Sequence, residues 1–197
     1  IKTDADRKNP ELLRKVWPDG NNDEYMAGVI MKEFVEKGEK ALIYCGHNHA
    51  STKYRQPIVH EKTHEFLRFG ELRTGNLIYR KIKDKCATIF LHSPWPSEKG
   101  YSKNYVYPVD GILDAVMSKI PKEYQCIGFD TAGSPFGDLP AETSLWKYGY
   151  KNFSLKDYCD GYIYHIPLSK YEGVSVIEDF INETNRVEAI NQMSNPK

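Results

Sequence analysis

The chain has 197 residues, 27 Lys and Arg against 27 Asp and Glu, and 40% hydrophobic residues. That length fits one ordinary domain that can bury a core without disulfide staples. The zero formal charge argues against a strongly basic nucleic-acid surface or a polybasic membrane anchor; no apolar stretch approaches the ~18 residues of a membrane helix, and no signal peptide is visible.

Residues 1–20 read as a polar N-terminal segment, with Leu12, Leu13 and Val16 as a short amphipathic turn. The chain opens on Ile1 and runs into charged residues, so 21–197 is expected to be a single α/β domain, part of a longer protein. Pro18-Asp19-Gly20 is a turn signal, and Asn21, Asn22 or Asp23 can cap the helix that follows. Met26, Val29, Ile30 and Phe34 recur at helical spacing up to Gly38. The apolar run 41–45, bounded by Gly46, predicts a buried strand.

The pattern then repeats. The spacing predicts a helix near 68–82, a buried strand over 87–91, a helix from Ile112 to a stop at Pro121, and a strand over 126–129. A loop rich in Gly, Pro and aromatics covers 131–153, followed by a short helical piece at 154–159 and a strand over 162–166. Val176, Ile177, Phe180, Ile181, Val187 and Ile190 mark a last helix at about 175–193. Alternating helices and buried strands predict an α/β fold: a mostly parallel sheet of about four strands with helices on both faces, in three layers.

In open parallel sheets, ligands bind beyond the carboxyl ends of the strands. That rule selects Gly46-His47-Asn48-His49, His92 with Pro94 and Trp95, Asp130 with Thr131, and His165. His47 and His49 are two apart; on an extended segment they share a side, where they could act as bases or bind a divalent metal. The plain alternative is a solvated His47 and a hydrogen-bonded His49. Gly46 would let the backbone turn where a Cβ obstructs. Tyr54 and Arg55 follow with Lys53, as anion or aromatic contacts or as a solvated loop. His92 and Trp95 are expected as a pocket wall, Asp130 as a carboxylate ligand or a turn cap, and His165 as structural.

His60-Glu61-Lys62-Thr63-His64 spells H-E-x-x-H, which on a helix puts two imidazoles on one face with a Glu as base. Pro57 just upstream and the missing third ligand favour a chance match. Cys45, Cys86, Cys126 and Cys159 form no C-x-x-C pair; three of them sit in apolar strand-like runs, where Cys reads as a small buried hydrophobe, and four cysteines allow a disulfide pattern without demanding one. The 14 Tyr, 8 Phe and 3 Trp gather at 95–107 and 146–164. They suit a pocket for a flat or sugar-like ligand, a partner surface, or packing over the sheet edge.

The segment from Asp23-Glu24-Tyr25-Met26-Ala27 to Cys45-Gly46-His47-Asn48-His49-Ala50 resembles the erythromycin esterase and ChaN-like superfamily, with its Tiki/TraB-type relatives. Arg73-Thr74-Gly75-Asn76-Leu77 and Asp157-Tyr158-Cys159-Asp160-Gly161-Tyr162-Ile163 extend the likeness. The resemblance implies a C-terminal portion of such a protein, with His49 at the matched position of a G-x-x-H. It implies a histidine-assisted esterase, a haem binder or a metal-dependent protease, and leaves the compartment open, with a bacterial periplasm or cell envelope as one setting. The group's G-E-x-H is absent from this sequence. Gly46-His47-Asn48-His49 also resembles the G-H-x-H of calcineurin-like phosphoesterases, which implies two metals. A non-catalytic binding domain is the third reading. In all three the expected partner is a small molecule rather than nucleic acid.

Overall fold

The computed structural model describes residues 21–60, 62–98, 100–124 and 126–171, with residues 9, 11, 12, 182 and 184–187. The turn at 18–20, most of the 1–20 segment and nearly all of the helix expected at 175–193 lie outside the described residues.

Helix α1 (Asn22–Ile30) begins where its sequence closes a capping box. The Asn21 side chain accepts from the Glu24 amide, and the Glu24 carboxylate accepts from the Asn21 amide, both at 3.0 Å. These reciprocal bonds satisfy two donors that a helix start leaves open. A π-helical turn (Met31–Val35) carries the helix on. A single short turn, α2 (His47–Ala50), precedes the hairpin β1 (Pro57–Val59) and β2 (Phe66–Phe69). Then come α3 (Thr74–Ile82), β3 (Ile89–Leu91), the hairpin β4 (Trp95–Ser97) and β5 (Gly100–Val106), α4 (Ile112–Met117), β6 (Ile127–Asp130), α5 (Leu155–Tyr158) and β7 (Gly161–Tyr164).

Among the described residues these strands form three small sheets, and most pairings are antiparallel. The central sheet has the order β3-β7-β6, with β3 parallel and β6 antiparallel to β7. The expected mostly parallel four-stranded sheet with helices on both faces is therefore corrected. Two causes account for it. The run 41–45 makes no strand; Leu42 and Tyr44 are 94% and 90% exposed. And β6 reaches β7 through turns, 3₁₀ segments and the four-residue α5 rather than a long crossover helix, a connection that suits antiparallel neighbours.

The core is aromatic. Trp146 stacks on Tyr158 with centroids 4.4 Å apart, and Phe90 stacks on the same Tyr158 at 4.3 Å. Tyr54, Trp95, Phe153 and Tyr162 surround them with Leu113, Leu145 and Leu155. Aromatics of both sequence clusters thus fill the core; each buries a large area, and offset contacts add to it.

A polar seam closes the edge where β3 and β7 begin and β6 ends. Thr52 and Thr88 share a hydroxyl contact of 2.8 Å, and the Thr88 hydroxyl donates to the Ala50 carbonyl. Asp160 accepts from the Thr88 amide and from Lys53, and the Thr131 amide donates to the Asp160 carbonyl. This seam fixes the α2 turn to the sheet.

Candidate functional site

Asp23 stands in the first turn of α1 yet is 2% exposed. Asn21 caps its own helix, so the Asp23 carboxylate is free to turn inward and serve α3. Its Oδ1 accepts from the Thr74 amide and the Thr74 hydroxyl, each at 2.8 Å, and Oδ2 accepts from Arg73 Nη1 at 3.2 Å. A carboxylate from 51 residues upstream thereby satisfies an open amide at the start of α3, where negative charge is favoured. The fourth contact is His49, whose Nδ1 lies 2.7 Å from Asp23 Oδ1.

Gly75 makes this meeting possible. A Cβ there would stand 2.5 Å from the carbonyl oxygens of both Ala50 and Ser51, so only glycine lets α3 lie against the α2 turn. Gly46 is not such a position: its φ is −60° and an added Cβ would meet His49 Cδ2 at an ordinary 3.8 Å. The expectation for Gly46 is corrected accordingly.

Burial alone would raise the Asp23 pKa, but hydrogen bonds from His49, Thr74 and Arg73 outweigh it and hold the carboxyl below its ordinary value of 3.8. At neutral pH the group is an anion and accepts only. The proton of neutral His49 must therefore sit on Nδ1, which leaves Nε2 with a lone pair. Among the described residues Nε2 has no hydrogen-bond partner.

His49 also lines a cavity of about 500 Å³, within the ~300–1,000 Å³ of small-molecule sites. Its walls come from α1, the π-helical turn, the 39–45 segment, α3 and the start of β3. Cys45 and Cys86 line it too, and burial pushes both thiols up, away from the nucleophilic thiolate.

His47 goes elsewhere. Two residues along a helical turn rotate a side chain by about 200°, so the two rings diverge instead of sharing a side. The His47 ring packs on Trp146 with centroids 5.4 Å apart. It is exposed by area, yet dense surroundings lower its pKa, with the charge of His49 as the second cause. Among the described residues, no three or more His, Cys, Asp or Glu side chains gather as a metal site needs.

The other sequence candidates fall in three places. Tyr54 is a core residue, 3% exposed, and donates to the Trp146 carbonyl at 3.1 Å. Arg55 donates to the Gly70 carbonyl at 2.6 Å and lies over the Phe69 ring, bracing the β1–β2 hairpin. Trp95 is core. Asp130 is exposed at the end of β6, on the sheet edge nearest α2. His92 follows β3 at the opposite edge and is completely buried, with Nδ1 2.9 Å from the Tyr162 hydroxyl. Its Nε2 is 3.0 Å from Asp114 Oδ2, without the alignment of a hydrogen bond. His165, expected inside an apolar strand, is exposed beyond β7.

Residues 60 and 62–64 of the H-E-x-x-H segment lie in the turn between β1 and β2, not on a helix. His64 has φ +58°, and His60 Nδ1 accepts from the Lys62 and Thr63 amides. Asp23, Arg73 and Thr74 were not expected at the site. The signals available were an acidic residue in the first turn of α1 and the Arg-Thr-Gly at the start of α3.

No family model matches the chain, and no curated protein or solved structure resembles it significantly.

Proposed function

We propose that this chain carries the histidine site of a hydrolase that cleaves carboxylic esters, in the manner of the erythromycin-esterase group it resembles around Gly46–Ala50. The observation that supports the reading is the buried, ionised Asp23 holding Nδ1 of a His49 that borders a ligand-sized cavity. Nε2 takes a proton from water as the water oxygen attacks the ester carbonyl. The imidazolium that forms lies against the Asp23 carboxylate, which stabilises it and keeps the ring oriented. When the tetrahedral intermediate collapses, the proton passes from Nε2 to the leaving alcohol oxygen. Ester and water become acid and alcohol, and the residues return to their starting state.

Asp23 acts through His49 and is a positioning residue; Arg73 and Thr74 hold Asp23 in turn. A positioned histidine base contributes typically ~10²–10⁴-fold. Hydrolysis of p-nitrophenyl esters by wild type and His49→Ala is the test. A drop of that size is expected, and unchanged turnover in the variant overturns the proposal.

A further inference from the structure

Helix α3 borders a second cavity, of about 670 Å³, through Asn76, Tyr79 and Arg80. The His49 cavity is bordered by Thr74, Gly75, Ile78 and Ile82. At about 100° per residue the two sets occupy different faces of the helix. Lys53 and Arg55 complete the charged wall of the second cavity, and among the described residues no acidic side chain lines it. The whole chain balances 27 basic against 27 acidic residues, so a wall of three cations is a local arrangement and not the mark of a basic protein.

The donors of this wall are incompletely used. Of the three cations only Lys53 has a carboxylate partner among the described residues, Asp160 at 2.6 Å. An ammonium carries three donors, so two remain. Arg55 spends one donor on the Gly70 carbonyl, while its buried Nε has no hydrogen-bond partner among the described residues. Buried donors are nearly always paired, and an orphan calls for an acceptor that the chain does not supply. Arg80 is exposed at the rim. The neutral groups, by contrast, are committed: the Asn76 amide donates to the Thr52 and Tyr54 carbonyls at 2.9 and 2.8 Å, which ties the Lys53 segment to α3. Lys53 and Lys83 each stand over the Tyr79 ring, 5.8 and 5.6 Å from its centroid. Asp160 and Asp84 are the opposing charges that act on Lys53.

We propose that this cavity binds a small organic phosphate monoester. The phosphate takes the free donors of Lys53, Arg55 and Arg80, as guanidinium forks and ammonium groups suit a dianionic oxygen cluster. The volume lies within the ~300–1,000 Å³ of small-molecule sites, which leaves room for an organic body beside Tyr79. The proposal does not use the hydrolase reading.

Calorimetric titration with phenyl phosphate at low salt and pH 8, where the monoester is a dianion, is the test. One-to-one binding is expected. Arg80→Gln and Lys53→Gln should each weaken it about tenfold, the effect of losing one charge-assisted hydrogen bond. Lys119→Gln, exposed beyond α4, should change nothing. Benzoate, with the same ring and a single charge, should bind at least tenfold more weakly, and inorganic phosphate should bind more weakly than phenyl phosphate. No binding, equal loss in Lys119→Gln, benzoate as tight as phenyl phosphate, or inorganic phosphate as tight as phenyl phosphate would overturn the assignment. Binding in a protein that hydrolyses no ester supports this site and overturns the hydrolase reading; ester turnover without phosphate binding does the reverse.

Discussion

Replacing Asp23 by alanine removes the acceptor for four donors: His49 Nδ1, Arg73 Nη1, the Thr74 amide and the Thr74 hydroxyl. The losses are unequal. The side chains of His49 and Arg73 are 30% and 34% exposed, so water can replace the carboxylate, and each contributes about 1 kcal/mol or less. The Thr74 hydroxyl also faces the Asp23 carbonyl at 3.4 Å, which alanine keeps. The Thr74 amide is buried at the start of α3 with no alternative acceptor, and an orphaned buried donor costs about 1–3 kcal/mol. The sum is about 3 kcal/mol. With a slope of about 2 kcal/mol/M, that lowers the urea midpoint by roughly 1.5 M. Asp23→Asn keeps an oxygen for the Thr74 amide and should cost about 1 kcal/mol. Urea titration of the three proteins measures this ordering. An alanine variant within about 0.5 kcal/mol of wild type, or an asparagine variant as damaging as alanine, would refute the account of the buried carboxylate.

Gly75→Ala forces a Cβ to within 2.5 Å of two backbone oxygens, so α3 must move away from α2. Overpacking of this kind costs about 1–3 kcal/mol, and the melting temperature should fall together with ester turnover. Acid stability should change in two windows. Burial lowers the His92 pKa from its ordinary 6.5, so the unfolded chain binds the proton more readily and stability falls as pH drops below 6.5. The depressed Asp23 pKa adds a second loss, which begins only as pH falls below 3.8; urea midpoints across pH resolve both, and His92→Gln should shrink the first, leaving the share of His47, whose pKa burial also lowers. Thiol labelling of native protein should modify the exposed Cys126 first and leave the buried Cys159, whose pKa burial pushes far up, until unfolding.

Elements whose apolar spacing agrees with their packing were legible in the chain. The helix beginning at Ile112 and the strands near 126–129 and 162–166 appear within a few residues of their expected bounds. Strand direction was not legible, because a short apolar run reads the same in either orientation; that hid the antiparallel β6 and separated His92 and Asp130 to opposite edges. The run 41–45 misled for a related reason: hydrophobicity alone does not supply a neighbouring ladder. His49 was legible through the G-x-x-H, but its partner was not. Asp23 lies 26 residues away, and a first-turn acid at a helix start already has an ordinary explanation in the helix dipole. Only the capping of α1 by Asn21 frees Asp23 for His49, and that choice between neighbouring polar residues is made by packing. The H-E-x-x-H match was undone locally, where His60 caps a hairpin turn instead of lying on a helix.

The central claim is that Asp23 and His49 act as one catalytic unit. Its most direct test is kcat/KM for p-nitrophenyl ester hydrolysis in Asp23→Asn, His49→Ala and the double variant. Residues that act together are non-additive. The account predicts a loss of about 10²–10⁴ in His49→Ala, a smaller loss in Asp23→Asn, and a double variant no worse than His49→Ala. A double variant whose loss is the product of the two single losses, or a His49→Ala protein with wild-type turnover, would contradict it.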